Sequence, residues 1–497
     1  MYPLFLLAGL AFLLSLVLVP VCRDAALRWK LVDYPDLARK IHLRPIPRIG
    51  GVPLLLSITI SCVSVYLIGA RQDVWKAEMF RVLWMMALPA FAMFLLGLFD
   101  DLAGMKATHK LLGQIVAASS AVAAGIRIHA IAGVTLDPWV GAIVTVVWLV
   151  ACVNAMNLID GVDGLASGIA LIAACALIAG ALATGHLEFA IAFAPLVGGL
   201  LGFLVFNFNP ASIFLGDCGS LLLGILLGCS GVLLGNEPGI SGGMLAPLII
   251  FSIPLADVSL AMSRRFLRRQ GIFTADRSHI HHRLLSLGLG PRGVALVMWC
   301  AEAVAGSVAL FVALTRSNWE IGIVALFVCA GVLCIGKLEY AEFQAVRRIF
   351  RDDLFRRAVC GHVAVRNFED AVTNALTAQE CWRAVEATSK VLGIHRVEMR
   401  IGGNFFHCHS SSTAIRAWQI YVPLSELDWV EFYQDPGHAG KGHAAAILTF
   451  AETVRRLLTS RSFISSRPAG HSTLISSSIM HQEALARAAT GSQGQSN

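Results

Sequence analysis

The chain has 497 residues, 56% of them hydrophobic and only 14% charged, with a net charge of +7 and a mean hydropathy of +0.70. That balance excludes an ordinary soluble protein, and positive residues clustered beside apolar stretches speak for membrane topology rather than for nucleic acid. The 12 cysteines include no C-x-x-C pair and fall mostly inside apolar stretches, which argues against a disulfide framework or a zinc site.

About eleven segments of roughly 20 apolar residues are long enough to cross a bilayer. They lie near 3–21, 50–70, 81–99, 111–126, 139–156, 164–185, 188–206, 213–235, 243–262, 293–314 and 319–336. The first lacks a basic leader and a small-residue cleavage site, so it is read as retained. The fourth and fifth are diluted by Gln114, Asn154 and many alanines. The expected fold is therefore an all-α polytopic membrane bundle over 1–336 with a small cytosolic α+β domain at its C-terminal end.

With that many spans, alternate loops share a side. One set, near 22–49, 100–110, 157–163, 207–212 and 263–292, holds most of the basic residues, whereas the opposite set holds only Arg71, Lys76, Arg81, Arg127 and Arg316. The positive-inside rule makes the first set cytoplasmic. It places the N-terminus on the other face and everything after about 337 in the cytoplasm. The polar motifs of the chain all fall in the cytoplasmic set. Carboxylates are expensive in lipid and tend to be kept there for function, so several gathered at one face point to a magnesium and phosphate site.

Taken in order, the first cytoplasmic loop runs Arg39-Lys40-Ile-His42-Leu-Arg44-Pro45-Ile-Pro47-Arg48-Ile-Gly50-Gly51. Its prolines stiffen an extended segment, and Lys40, His42 and Arg48 offer cations to an anion, although a basic inner loop alone would look the same. Asp100-Asp101 closes the third span at the unfavourable end of the helix dipole, where either solvent or a bound cation would relieve it. Mg²⁺ prefers oxygen ligands and usually takes one or two carboxylates plus substrate phosphates. Asn154, Asn157 and Asp160 recur every third residue, near one helical face, ahead of the turn Asp160-Gly-Val-Asp163-Gly. An EF-hand is the competing reading of that turn, but the loop is too short and lacks the closing glutamate.

Asn207 precedes Phe214-Leu-Gly-Asp217-Cys-Gly-Ser220, which opens the next span. Asp217 is either a helix N-cap or part of a phosphate cradle at the helix start, or both. Phe214 either stacks on a base or packs against neighbours. Asp257 is followed by the run Arg264-Arg265-Phe-Leu-Arg268-Arg269 and then by Asp276-Arg277-Ser-His279-Ile-His281-His282-Arg283. Arg and His suit phosphate. The arginines also serve as a topology signal, and zinc on the histidines lacks any further ligand cluster.

Beyond the last span, residues 337–366 combine many charges with Phe343, Val346, Ile349, Phe350 and Leu354 at helical spacing, the pattern of an amphipathic linker helix. Residues 367–461 read as soluble α+β. Phe368–Leu392 is expected as a helix, His395–Ile401, Trp418–Pro423 and Trp429–Tyr433 as strands, and Ala444–Leu458 as a helix. The order resembles a small sensory domain of the GAF type. His407-Cys408-His409 is read as strand rather than metal site, because neighbours on a strand point to opposite faces. Residues 462–497, rich in Ser, Ala, Gly and Gln, are expected to be disordered.

The five polar segments together, in order and spacing across about 1–336, resemble the polyprenyl-phosphate N-acetylhexosamine-1-phosphate transferases (glycosyl transferase family 4). The resemblance implies UDP-N-acetylhexosamine and undecaprenyl phosphate as substrates, and UMP and a lipid-linked sugar pyrophosphate as products. It implies Mg²⁺, with Mn²⁺ as its substitute, held by Asp217, Asp100 and Asp101. Catalytic roles fall to Asp100, Asp101, Asp160 and His279. Substrate contacts fall to Lys40, Arg48, Asn157, Asp163, Asn207, Phe214, His281 and His282, with Phe214 near the uracil. Gly104 stands where some members carry a third carboxylate, and Cys218 replaces a common Thr. The R-K-x-H-x-x-P-I-P-R and D-R-x-H-x-H-H segments resemble enzymes of simple UDP-sugars more than the phospho-N-acetylmuramoyl-pentapeptide transferases. The expected setting is the bacterial inner membrane, with lipid as neighbour, a homodimer as an admissible assembly and no nucleic-acid partner. A secondary transporter would carry its acids near the midplane and an internal repeat; the acids of the motifs here lie at span ends, and no repeat is read. A membrane receptor read out by the cytosolic domain is the third class.

Overall fold

In the computed structural model the described residues are 2–33, 45–68, 74–131, 133–237, 243–267, 279–315, 319–338, 354–409, 418–434 and 444–460, with 270, 340 and 344 as single positions. Two compact units divide the chain, Met1–Glu339 and Tyr340–Asn497.

The first unit is a helical bundle. Its helices are α1 (Tyr2–Arg28), α2 (Gly51–Ile68), α3 (Val74–Ala103), α4 (Ala107–Ala123), α5 (Pro138–Ile159), α6 (Leu165–Ala183), α7 (Leu187–Asn207), α8 (Gly216–Gly235), α9 (Leu245–Ile250), α10 (Ser252–Leu267), α11 (Ile280–Ser286), α12 (Pro291–Leu314) and α13 (Trp319–Gly336). Short two-residue ladders join β1 (Val32–Asp33) to β2 (Ile46–Pro47) and β3 (Ala130–Ile131) to β4 (Val134–Thr135).

Among the described residues, seven helices are long and apolar enough to cross a membrane: Tyr2–Arg28, Ala77–Ala103 and those of α5, α6, α7, α8 and α12. The protein is a multi-pass membrane protein. Of the four other expected spans, two form the shorter apolar helices in α2 and α13, and a third forms α4, a helix of 17 residues. The fourth, 243–262, is not one helix but two, α9 and α10. The break falls at Phe251, just before Pro254, whose missing N–H leaves the Ile250 carbonyl without its helical donor. α10 is amphipathic rather than apolar throughout, and Pro254, Asp257, Ala261 and Arg264 make its buried side.

α8 is the centre of the bundle. It packs on α3, α5, α2 and α6, and 89% of its span is buried, against 28% for α1 at the periphery. Glycines and serines spaced through Gly216–Gly235 let neighbouring backbones approach, the usual device for helix association in lipid. At Gly97 of α3 an added Cβ would lie 2.4 Å from the Asp217 carbonyl oxygen, so only glycine permits this crossing. The crossing lies one helical turn before Asp100-Asp101 and fixes where they meet α8. The outward side of α3 exposes Trp84, Leu88, Phe91 and Leu95, an apolar face suited to acyl chains.

The second unit contains α14 (Leu354–Asn374), α15 (Ala378–Val391), strands β5 (Arg396–Ile401), β6 (Asn404–His409), β7 (Trp418–Pro423) and β8 (Trp429–Gln434), and α16 (Ala444–Leu458). The sheet is antiparallel in the order β6-β5-β8-β7. Val397, Met399 and Ile401 alternate inward from β5 and join Val430, Phe432, Phe368, Val385 and Phe450 in one core.

The helix expected over Phe368–Leu392 is two helices. Thr377 ends the first by capping the second: its hydroxyl accepts the Glu380 N–H at 3.2 Å, and the Glu380 side chain takes the Thr377 N–H at 3.2 Å. β6 was missed as an element, although it carries His407-Cys408-His409 as strand residues. Of the expected linker helix, residues 354–366 form the start of α14, most of 339–353 lies outside the described residues, and so does the expected disordered tail 462–497.

Candidate active site

Four helix ends and one loop bring the polar motifs together at one end of the bundle. Asp100 and Asp101 close α3, Lys110 opens α4, Asn157 and Asp160 close α5, and Asp217 opens α8. Each charged group among them stands at the end of the helix dipole that disfavours it, except Asp217. The cost of that placement falls when the opposite charges meet, and here they do.

Lys110 is the hub. Its Nζ lies 2.8 Å from Asp100 Oδ2 and 3.3 Å from Asn157 Oδ1, and it also bonds Asp217 Oδ2. Asp217 Oδ1 accepts from Arg48 Nη2 and Asn157 Nδ2, each at 2.9 Å. Asn157 Nδ2 reaches Ser220 Oγ at 3.0 Å as well. Asp100 Oδ1 accepts the Met105 N–H at 2.7 Å, which fixes that carboxylate on the turn after α3.

Asp101 is differently employed. Its two oxygens accept the backbone N–H groups of Asp217 and Cys218 at 2.9 and 2.8 Å, and Arg48 Nε lies 3.3 Å away. Its side chain is 1% exposed. It therefore caps α8 from another helix and orients Asp217. Of the first N–H groups of α8, Asp101 takes those of Asp217 and Cys218.

The loop before α2 is tied to the same place by backbone bonds: Gly50 N–H to the Phe214 carbonyl at 2.9 Å, Gly51 N–H to Leu215 at 3.0 Å and Phe214 N–H to Pro47 at 2.8 Å. Half-buried Phe214 thus joins the Arg48 loop to the start of α8. Lys40 and His42 of that loop lie outside the described residues.

Asp160 lies at the end of α5, where removal from water pushes its carboxyl up to about 8, against the pull of Arg48 and with the help of Asp217, Asp101 and Asp163. Two other expected substrate residues brace the backbone instead. Asp163 Oδ2 accepts from Asn209 Nδ2 at 2.9 Å and from the Ala211 N–H at 3.0 Å. Asn207 is buried, taking the Ser167 hydroxyl at 2.8 Å and donating to the Ile213 carbonyl at 2.9 Å. Asn154 pairs with Gln114 at 2.7 Å, away from the hub.

The histidine loop closes over the turn after α5. At Gly161 an added Cβ would sit 2.5 Å from His281 Nε2, so the ring lies directly on that glycine. His279 and His281 stack with planes 4° apart, and His281 and His282 lie 4.4 Å apart by ring centre. His281 is 1% exposed, and burial, together with the neighbouring His282 and His279 and against the pull of Asp257, holds it down to about 4. It is a neutral ring at ordinary pH.

No group of three or more His, Cys, Asp or Glu side chains able to hold a metal occurs among the described residues. Asp100, Asp217 and the Asn157 carbonyl do present oxygens that converge on one cation, the Lys110 ammonium. Mg²⁺ asks for no more than two carboxylates when phosphates complete its shell. Asp100 and Asp217 fit that requirement, and Asp101 stands behind Asp217 as its orienting group.

Lys110 is the site residue that sequence reasoning passed over, and Asp257, named there for the arginine run after it, is tied instead to His279. Lys110 was absorbed into the positive-inside count, yet a cation in the first turn of a helix runs against the dipole and so announces an anion nearby.

The signature of glycosyl transferase family 4 matches residues 83–235, which contain Asp100, Lys110, Asn157 and Asp217. The chain is 33% identical over 300 residues to the probable undecaprenyl-phosphate N-acetylglucosaminyl 1-phosphate transferase of Bacillus subtilis, covering 58% of this chain and 80% of that protein. It is 33% identical over 304 residues to the decaprenyl-phosphate N-acetylglucosaminephosphotransferase of Mycobacterium tuberculosis, covering 56% of this chain and 74% of that one. The phospho-N-acetylmuramoyl-pentapeptide-transferase of Latilactobacillus sakei is 29% identical over 283 residues, covering 54% and 84%.

Proposed function

The chain belongs to glycosyl transferase family 4, among the polyprenyl-phosphate N-acetylglucosamine-1-phosphate transferases, and from that premise we propose that it transfers N-acetylglucosamine-1-phosphate from UDP-N-acetylglucosamine to undecaprenyl phosphate. The observation that carries the reading to this chain's own residues is the convergence of Asp100, Asp217 and Asn157 on one cation at the end of the bundle. A site at helix ends suits a reaction between one water-soluble and one lipid substrate.

An oxygen of the lipid phosphate attacks the β-phosphorus of the UDP-sugar, the bond from that phosphorus to the bridging oxygen breaks, and UMP leaves. Bound Mg²⁺, held by Asp217 and Asp100, would supply neutralisation of charge on the pyrophosphate oxygens. Asn157 and Asp101 orient Asp217. Lys110 and Arg48 carry the positive charge that receives phosphate oxygens. Asp160 and Asp100 would be the groups that exchange a proton with the acceptor phosphate, and the raised carboxyl of Asp160 supports that role for it. His281 borders the turn that carries Asp160, and with His279 and His282 it would contact the sugar and phosphate.

The acceptor is already a strong anionic nucleophile, so direct attack needs no aspartyl-phosphate intermediate. The charge bias of the loops supports a cytoplasmic site in a bacterial inner membrane. Muropeptide enzymes are also among the relatives, but at lower identity in the example above, and the Arg48 and histidine segments resemble those of the simple UDP-sugar enzymes.

Detergent-solubilised protein given UDP-N-acetylglucosamine, undecaprenyl phosphate and Mg²⁺ should release UMP and form lipid-linked sugar pyrophosphate. Release only with the UDP-muropeptide, or none, would contradict the reading.

A further inference from the structure

We propose that Asp257 is a positioning residue for the transfer reaction, acting through His279; the inference rests on the transferase reading above. Asp257 lies on α10, 1% exposed. Its Oδ2 is 3.0 Å from His279 Nδ1, and its Oδ1 accepts the Ile280 N–H at 2.7 Å. One carboxylate thus fixes both the imidazole and the backbone that starts α11.

The chemistry follows from the donors. An ionised carboxylate only accepts, so His279 Nδ1 carries the proton and Nε2 is left as the working nitrogen. The same carboxylate stabilises the ring when Nε2 takes a proton or donates to a phosphate oxygen. A dyad of this kind orients a histidine without itself touching substrate. From His279 the order passes on by contact: its ring stacks on His281, 5.7 Å away by centroid, and His281 lies on Gly161 between Asp160 and Asp163. The break between α9 and α10 allows this. An unbroken helix over 243–262 would set Asp257 on the course of a straight span, whereas the separate amphipathic α10 turns it into the protein with Arg264. Nothing in the sequence ties Asp257 to a loop 22 residues later.

Asp257→Asn distinguishes positioning from packing. The amide has one acceptor oxygen. If that oxygen keeps the Ile280 N–H, the NH₂ group faces His279 Nδ1 and drives the ring's proton to Nε2. We expect kcat for UMP release to fall about 10–100-fold, the range seen when such a carboxylate partner is lost, with the KM for UDP-N-acetylglucosamine and the melting midpoint held. In a double-mutant cycle, His279→Ala and Asp257→Asn/His279→Ala should be equally impaired, because the first change leaves nothing for the second to act on. Should Asp257→Asn lower the melting midpoint, Asp257→Glu, which keeps two acceptor oxygens, is expected to retain more activity than Asn at matched folded protein.

Losses that multiply in the cycle, Asp257→Asn as active as the parent, or Glu and Asn equally impaired would each overturn the role. A parent protein that releases no UMP from any UDP-N-acetylhexosamine would overturn the transferase reading and this role with it. An active parent with an indifferent Asp257→Asn overturns this role alone.

Discussion

The membrane unit and the C-terminal unit treat polar residues in opposite ways. Among the described residues of Tyr340–Asn497 the core is apolar and the charges face outward: β5 alternates Val397, Met399 and Ile401 inward with Arg396, Glu398 and Arg400 outward, and Thr377 and Glu380 close the start of α15 locally. In Met1–Glu339 the inside carries the polar groups, and they are satisfied across long stretches of chain: Arg48 to Asp217, Asp101 to the start of α8, Asp257 to His279. A soluble unit can leave a charge in water. A membrane unit must pair it, and the pairs that result are also the chemistry.

The largest expected effect falls in the membrane unit. Asp217→Asn removes the carboxylate shared by Lys110 and Arg48 and should cut UMP release by about 10³-fold or more, the scale of several kcal/mol of lost charge stabilisation, while the protein still elutes as a folded species. Ample Mg²⁺-dependent activity in that variant would remove the metal role of Asp217.

Next is pH. His281 is held down to about 4, below its unfolded value near 6.5, so the folded state resists protonation that the unfolded state accepts. Its contribution to stability is therefore complete above about 6.5 and is lost as pH falls through about 4. The melting midpoint should drop across that window, and His281→Gln should flatten the drop. The same slope in both proteins would place the acid sensitivity elsewhere.

The smallest effect belongs to the other unit. Thr377→Ala removes a cap worth about 1 kcal/mol of local stability and should leave UMP release unchanged. An activity loss there would break the contrast between the units.

Much of this was legible in the sequence, for reasons that differ by residue. Asp100, Asn157 and Asp217 announced themselves as polar groups at the ends of apolar runs, and their convergence followed from loop sidedness. The α16 helix and strands β7 and β8 followed from plain periodicity. Three things were not legible. Local spacing places Asp101 and Asp163 beside their catalytic-looking neighbours, but only the packing of α3 on α8 and of the Asn209 turn decides that they cap and brace. The eleven-span count treats hydropathy as continuous through 243–262, whereas Pro254 and the buried Asp257 break and turn the helix. Glu302 sits wholly buried in α12 with neither carboxylate oxygen hydrogen-bonded, and hydropathy averaged over that span hides it.

The account turns on oxygens from α3, α5 and α8 forming one cation and diphosphate pocket. Electron paramagnetic resonance of Mn²⁺ titrated into the solubilised protein with UDP-N-acetylglucosamine tests it most directly. The parent protein should bind the ion, and Asp217→Asn should weaken binding about 10-fold or more. Equal affinity in the two proteins, with both folded, would contradict it.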